Sequence, residues 1–251
     1  MFNYKSMCRA GFPFPVFLFL VFFSLSTYYA QNNQERKPTN LKVLPKDISN
    51  QDLRNIMQGF SSALGVHCEY CHYEEEHDFA SDGMQTKQIA RVMMKMKSNI
   101  NETFLKEARA IKNDIVDLNC VSCHHGSPKV RLLEDVLYSS YLKSGIDSSL
   151  IQYNSLRKDY YGAAIYDFRE MSLINFSHKL IEDKKYDDAA KILNKNLELF
   201  PTSTRTLNSF ANLYLTKGDK ETAASYLQKV LAIEPKNRFA TQMLDRINAG
   251  K

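Results

Sequence analysis

Two short stretches of this 251-residue chain share one pattern. Cys68-Glu69-Tyr70-Cys71-His72 and Cys120-Val121-Ser122-Cys123-His124 both read C-x-x-C-H. Two thiols separated by two residues reach the two vinyl groups of one porphyrin as thioethers, and the adjacent imidazole then lies under the iron as its proximal ligand. The pattern predicts two covalent haem c groups, held by Cys68, Cys71, Cys120 and Cys123, with His72 and His124 on the irons.

Other uses of a C-x-x-C pair fit less well. A zinc ribbon places its second pair within about 15–20 residues of the first, whereas 48 residues separate Cys71 from Cys120. A thioredoxin-like dithiol opens a helix within strand-helix alternation, and neither pair has that setting. Neither alternative explains the histidines: with six His in the chain, chance would put one directly after both pairs about once in 2,000 sequences. Every cysteine but Cys8 is then used.

Helices must position these motifs, and a repeat marks them. Leu53, Ile56, Met57, Phe60 and Leu64 recur at an offset of 36 as Ile89, Val92, Met93, Met96 and Ile100. Both sets follow the i, i+3, i+4, i+7, i+11 spacing of one apolar helix face. Ser49 and Asp52 form a capping box for the first helix and Gly65 stops it, while Ser81 or Asp82 is the expected cap of the second. Each helix precedes one C-x-x-C-H motif. One equivalent position is Met in both copies, Met57 and Met93, and a thioether is a common sixth partner for a His-ligated haem c iron. Met is also an ordinary gap-filler on apolar helix faces, so the residues alone leave both readings open. Met94 points elsewhere on its helix, and Met96 matches Phe60, which has no ligating atom.

Four histidines lie outside the motifs. His67, His125, His77 among Glu74-Glu75-Glu76 and Asp78, and His178 read as solvated or packing residues, with a bis-His haem through His77 or His125 as the competing assignment.

The N-terminus has the pattern of a secretory signal peptide over residues 1–30. Lys5 and Arg9 precede an apolar run from Phe12 to Leu25, and Tyr28-Tyr29-Ala30 leads into polar Gln31-Asn32-Asn33. The competing reading is a retained membrane anchor, although the run is shorter than a full span of about 20 residues. Export suits the chemistry, because bacteria attach haem covalently outside the cytoplasm; the expected compartment is the periplasm, with the chain free there or held at the membrane. Removing Lys5 and Arg9 takes the formal charge from +5 to +3. Two haems add about four propionates, so the pI of 8.8 overstates the basicity and nucleic-acid binding is not indicated.

The C-terminal third carries a different repeat. Leu173, Phe176, Ser177, Leu180, Ala189, Leu193 and Pro201 recur at an offset of 34 as Leu207, Phe210, Ala211, Tyr214, Ala223, Leu227 and Pro235. That is the period and anchor pattern of tetratricopeptide repeats, and residues 237–249 supply a capping helix. Two repeats are fewer than the three or so such stacks need. The Tyr-rich stretch 131–169 is expected to be a helical connector that completes the stack, its aromatic residues packing rather than forming an electron path. The expected organisation is a signal peptide (1–30), a linker (31–48), a di-haem domain (49–130), the connector (131–169) and the repeats (170–251).

Several segments together resemble the cytochrome subunit of photosynthetic reaction centres and its shorter di-haem relatives. They are Leu41-Lys42-Val43-Leu44-Pro45, Ser62-Ala63-Leu64-Gly65 before the first motif, Phe79-Ala80-Ser81-Asp82, Ala90-Arg91-Val92-Met93-Met94-Lys95-Met96, Ile100-Asn101, and Cys120-Val121-Ser122-Cys123-His124-His125-Gly126. The resemblance covers about residues 41–130 and implies helix, turn and C-x-x-C-H, with a helix methionine as sixth ligand. The matching positions are Met57 and Met93. The reaction-centre subunit carries four haems as two such pairs, whereas this chain has one pair followed by unrelated repeats, so direct service to a reaction centre is not implied. The stretch 101–119 is also long, so that the second helix either runs on or breaks before Cys120.

These readings converge on an all-α exported di-haem c-type cytochrome with a C-terminal repeat module. Its expected work is one-electron transfer between redox proteins in the periplasm or at the membrane, with a protein partner docked by the repeats and no catalytic residues. The competing classes are a di-haem peroxidase, which needs one iron able to bind peroxide, and a redox-sensing adaptor that signals through the repeats.

Overall fold

The structure is a computed structural model that describes residues 37–73 and 78–250. The presumed signal peptide and His77 lie outside the described residues. Among those described the chain is helical, with a single isolated bridge between Tyr73 and Asp78 and no strand. No described helix is long and apolar enough to cross a membrane. The chain forms two compact units, one of residues 37–58 and 68–98, the other of 59–67 and 99–250.

The first unit holds most of α1 (Asn50–Leu64), a 3-10 turn at Cys68–Tyr70, and α2 (Gln85–Asn99) up to Ser98. The Ser49 Oγ accepts the Asp52 amide at 3.0 Å, the N-cap half of the expected capping box, and donates to the Asp52 carboxylate at 2.7 Å, so that the carboxylate meets the hydroxyl of Ser49. The expected cap of α2 differs. This helix starts at Gln85, because the Asp82 carboxylate is committed elsewhere: Lys42 Nζ reaches it at 2.5 Å, Arg91 at 2.6 Å and Asn40 Nδ2 at 3.0 Å. Ser81 Oγ instead accepts the Gly83 amide at 3.2 Å. Three donors around one carboxylate hold Asp82 far below the usual carboxylate range, with Lys42 the largest cause. This knot ties residues 40–42 to the entry of α2.

In the second unit, α1 ends as its sequence indicates. Gly65 takes the left-handed conformation (φ 64°) and the Val66 amide bonds the Ser61 carbonyl at 3.1 Å. The chain after Ser98 runs on through a π-helical turn (Ile100–Phe104) into α3 (Leu105–Ile111), then crosses extended to a single turn, α4 (Val121–His124).

The remainder of that unit is the repeat stack. Helix α5 (Leu133–Tyr160) is broken at Gly145 (φ 79°, ψ −175°). Ser149 Oγ donates to the Leu137 carbonyl at 3.0 Å, although twelve residues along a straight helix would span about 18 Å. The two arms therefore fold back on each other as a hairpin. Two further hairpins follow, α6 (Glu170–Glu182) with α7 (Tyr186–Leu199) and α8 (Thr204–Lys217) with α9 (Lys220–Ile233), closed by α10 (Arg238–Ala249). Ser203, Asp219 and Asn237 cap α8, α9 and α10 through their side chains. The anchors Leu173, Phe176, Leu180, Leu193, Phe210, Ala223 and Leu227 are buried, and Leu133, Leu137 and Tyr153 of α5 join the same core as Phe176. The connector thus supplies the third hairpin that the stack requires. Its tyrosines pack and hydrogen-bond: Tyr138 donates to Asp183 at 2.6 Å and Tyr141 to Asp188 at 2.9 Å.

Candidate functional site

Each C-x-x-C-H motif forms one helical turn. In the first, the Cys71 and His72 amides both bond the Cys68 carbonyl, at 3.1 and 3.0 Å. The second repeats this at 3.3 and 3.0 Å onto the Cys120 carbonyl. Residues i, i+3 and i+4 then share one face, so both thiols and the imidazole of each motif lie side by side. None of the four motif cysteines is joined in a disulfide. No three His, Cys, Asp or Glu side chains among the described residues converge as the ligands of a single ion would. Such a row suits a flat group joined at its edge and held at its centre.

The two histidines differ in their surroundings. His124 Nδ1 lies 2.9 Å from the Ser127 carbonyl, which can only accept, so Nδ1 is the donor and Nε2 is the ring nitrogen left over for another partner. His72 Nδ1 is buried without a hydrogen-bond partner, and the ring meets Phe79 edge-on at 5.4 Å. Burial lowers the basicity of His72 and the Lys87 charge adds to this, the Phe79 backbone working against both. The imidazole is thereby kept in its neutral, ligating form. Burial likewise pushes the Cys71 thiol up, against the Thr86 hydroxyl and the Lys87 ammonium, keeping it protonated.

The entry of α2 is built against the first motif. Thr86 Oγ1 donates to the Tyr70 carbonyl, and Lys87 Nζ bonds the Phe79 and Ser81 carbonyls at 2.9 and 2.6 Å. A Cβ at Gly83 would stand 2.7 Å from the Tyr73 hydroxyl, so a larger residue there would displace that ring.

The second motif is held by a network that neither the motif nor the helix repeat marks. The buried Asn101 carboxamide donates to the Leu118 carbonyl and accepts the Leu118 amide, both at 2.9 Å. Arg109 bonds the Asn101 carbonyl at 3.1 Å and Asp117 at 2.6 Å. Together they clamp the extended segment just before Cys120. Asn101 enters the family resemblance within Ile100-Asn101, but nothing in its spacing marks this role.

Met57 lies half-buried on α1, and Met93 on the outer face of α2 with 43% of its surface exposed. Its neighbours Ile89 (55%), Val92 (63%) and Met96 (51%) are equally bare. An apolar helix stripe this exposed matches the face of a porphyrin in chemistry, as does the motif geometry. The residues present therefore fit covalent haem c. Of the remaining histidines, His67 and His125 are exposed, and His178 is a packing residue whose Nε2 is 3.4 Å from Ser209 Oγ and whose basicity burial lowers.

Fold and site define an all-α c-type cytochrome domain followed by helical-hairpin repeats. Residues 26–161, more than half of the chain, match the family described as photosynthetic reaction centre cytochrome C subunit, and the chain belongs to that family. Residues 180–244 match the tetratricopeptide repeat. Among curated proteins, the photosynthetic reaction center cytochrome c subunit of Roseobacter denitrificans is 32% identical over 90 residues, covering 35% of this chain and 24% of the relative. Cytochrome c-554 of Chloroflexus aurantiacus is 34% identical over 89 residues, covering 36% of this chain and 20% of the relative. The corresponding subunit of Rubrivivax gelatinosus is 26% identical over 113 residues, covering 38% and 31%. The chain thus spans between a fifth and a third of the length of these relatives. Membership implies covalently bound c-type haem.

Proposed function

We propose that the protein is an exported, periplasmic di-haem c-type cytochrome that carries single electrons between redox partners, docked to one of them by its repeats. The observation supporting this most is that two C-x-x-C-H turns, each with its thiols and imidazole on one side, stand in a region of apolar helix faces with almost no protein core. Cys68, Cys71 and His72 would hold one haem, and Cys120, Cys123 and His124 the other. Met57 and Met93 are the proposed sixth ligands. Haem supplies an iron that gains or loses one electron with little change of structure. The chain's own part would be to fix the imidazoles, keep that of His72 neutral and offer the apolar faces of α1 and α2 to the porphyrins. With a histidine and a methionine supplied to each iron, no coordination site would be left for a substrate, which favours a carrier over a peroxidase.

Intact mass and optical redox titration of the exported protein test this together. The expected result is loss of about 30 N-terminal residues, two retained haems after acid extraction, and two low-spin irons. A mass equal to apoprotein, or peroxide turnover well above that of free haem, would overturn it.

A further inference from the structure

Gly65 lies three residues before the first motif, yet its contacts belong to the second. A Cβ built on it would stand 2.2 Å from the Gly126 carbonyl oxygen and 3.0 Å from the carbonyl carbon, which are backbone atoms with no rotamer to yield. Beside this approach the Gly126 amide donates to the Ala63 carbonyl at 2.9 Å. Ala63 is the only buried apolar residue described before Leu133. Gly126 is joined to Ser127, whose amide bonds the His124 carbonyl and whose own carbonyl accepts from His124 Nδ1, each at 2.9 Å. His125 takes a left-handed conformation (φ 50°) to let the chain turn back into this position.

We infer that Gly65 is a positioning residue for the iron ligand His124. The end of α1 is docked against the Gly126 peptide, and that peptide sets where the Ser127 carbonyl stands and hence how the imidazole is turned. Outer partners of this kind orient a ligating histidine and tune its basicity. The inference rests on the reading that His124 ligates iron. Its geometric half, the docked Gly126 peptide, does not.

Three measurements on the full-length holoprotein test it. The Gly126 amide should exchange with solvent at least about a hundredfold more slowly than an unstructured amide; free exchange in the haem-loaded protein would refute the docking. Gly65→Ala and Gly65→Asn should both shift the potential and the low-spin signature of the haem on Cys120 and Cys123. Asn tolerates the left-handed conformation but still carries the colliding Cβ. If G65A acts and G65N does not, helix-cap strain is the cause and the inference fails. It fails equally if only the haem on Cys68 and Cys71 responds. Gly162→Ala, at another left-handed glycine (φ 86°) with open space around its Cβ, should move neither haem; a shift there as large as that of G65A would also refute the inference.

Discussion

Met93 and Met96 lie three residues apart on α2, both exposed, and only the repeat with α1 separates them in role. Met93 matches Met57, whereas Met96 matches Phe60, which cannot ligate. Met57→Ala and Met93→Ala should each turn one haem high-spin or recruit a substitute ligand, lower its potential, and remove one sulfur-to-iron absorption from the ferric spectrum. Met96→Ala should leave ligation intact and cost only packing. If M96A changes the ferric spectrum and M93A does not, the register between the two helices is misassigned.

Elements with a strong period were legible before any coordinates. The helix pair at offset 36 emerges as two 15-residue helices, although the apolar stripe of α2 stays exposed, and the anchors at offset 34 emerge as two hairpins whose periodic apolar positions are buried. What was not legible came from single polar groups and backbone approaches. Asp82 reads as a helix cap until Lys42 and Arg91 are seen to claim it. The Gly145 break within α5 and the Gly65–Gly126 approach are backbone events with no periodic signature. Asn101 is the clearest case: it lies off the apolar stripe of Ile89, Val92, Met93, Met96 and Ile100 and belongs to no repeat, yet its carboxamide replaces a missing peptide partner for Leu118. Asn101→Ala would leave the Leu118 amide and carbonyl unpaired, a loss of about 1–3 kcal/mol for each group that stays buried. The expected outcome is weaker haem retention at Cys120 and Cys123, with that at Cys68 and Cys71 kept, read by peptide mass after digestion. Equal retention at both sites would show that the clamp does not position the second motif.

Across the whole chain, apolar burial is divided unevenly. Every buried apolar side chain among the described residues lies from Leu133 onward, except Ala63. The hairpins therefore carry their own core, each large buried side chain contributing about 1.5–3 kcal/mol. Residues 37–132 instead hold α1, α2 and the two motifs with polar knots at Asp82 and Asn101, and polar bonds of this sort give only about 1 kcal/mol each. On the proposed reading the two porphyrins take the place of a core there, since only a large apolar group bound to the folded chain could offset the entropy of ordering it. Replacing Cys68, Cys71, Cys120 and Cys123 together by Ser should then abolish amide protection across residues 37–132 while leaving 133–250 protected, as hydrogen exchange read by mass spectrometry would show. Phe176→Ala should do the reverse, removing about 3–5 kcal/mol from the repeats and leaving both haem spectra unchanged. Persistent protection of α1 and α2 in the haem-free chain would mean that these helices find their stability elsewhere, and the idea of a porphyrin core would have to be abandoned.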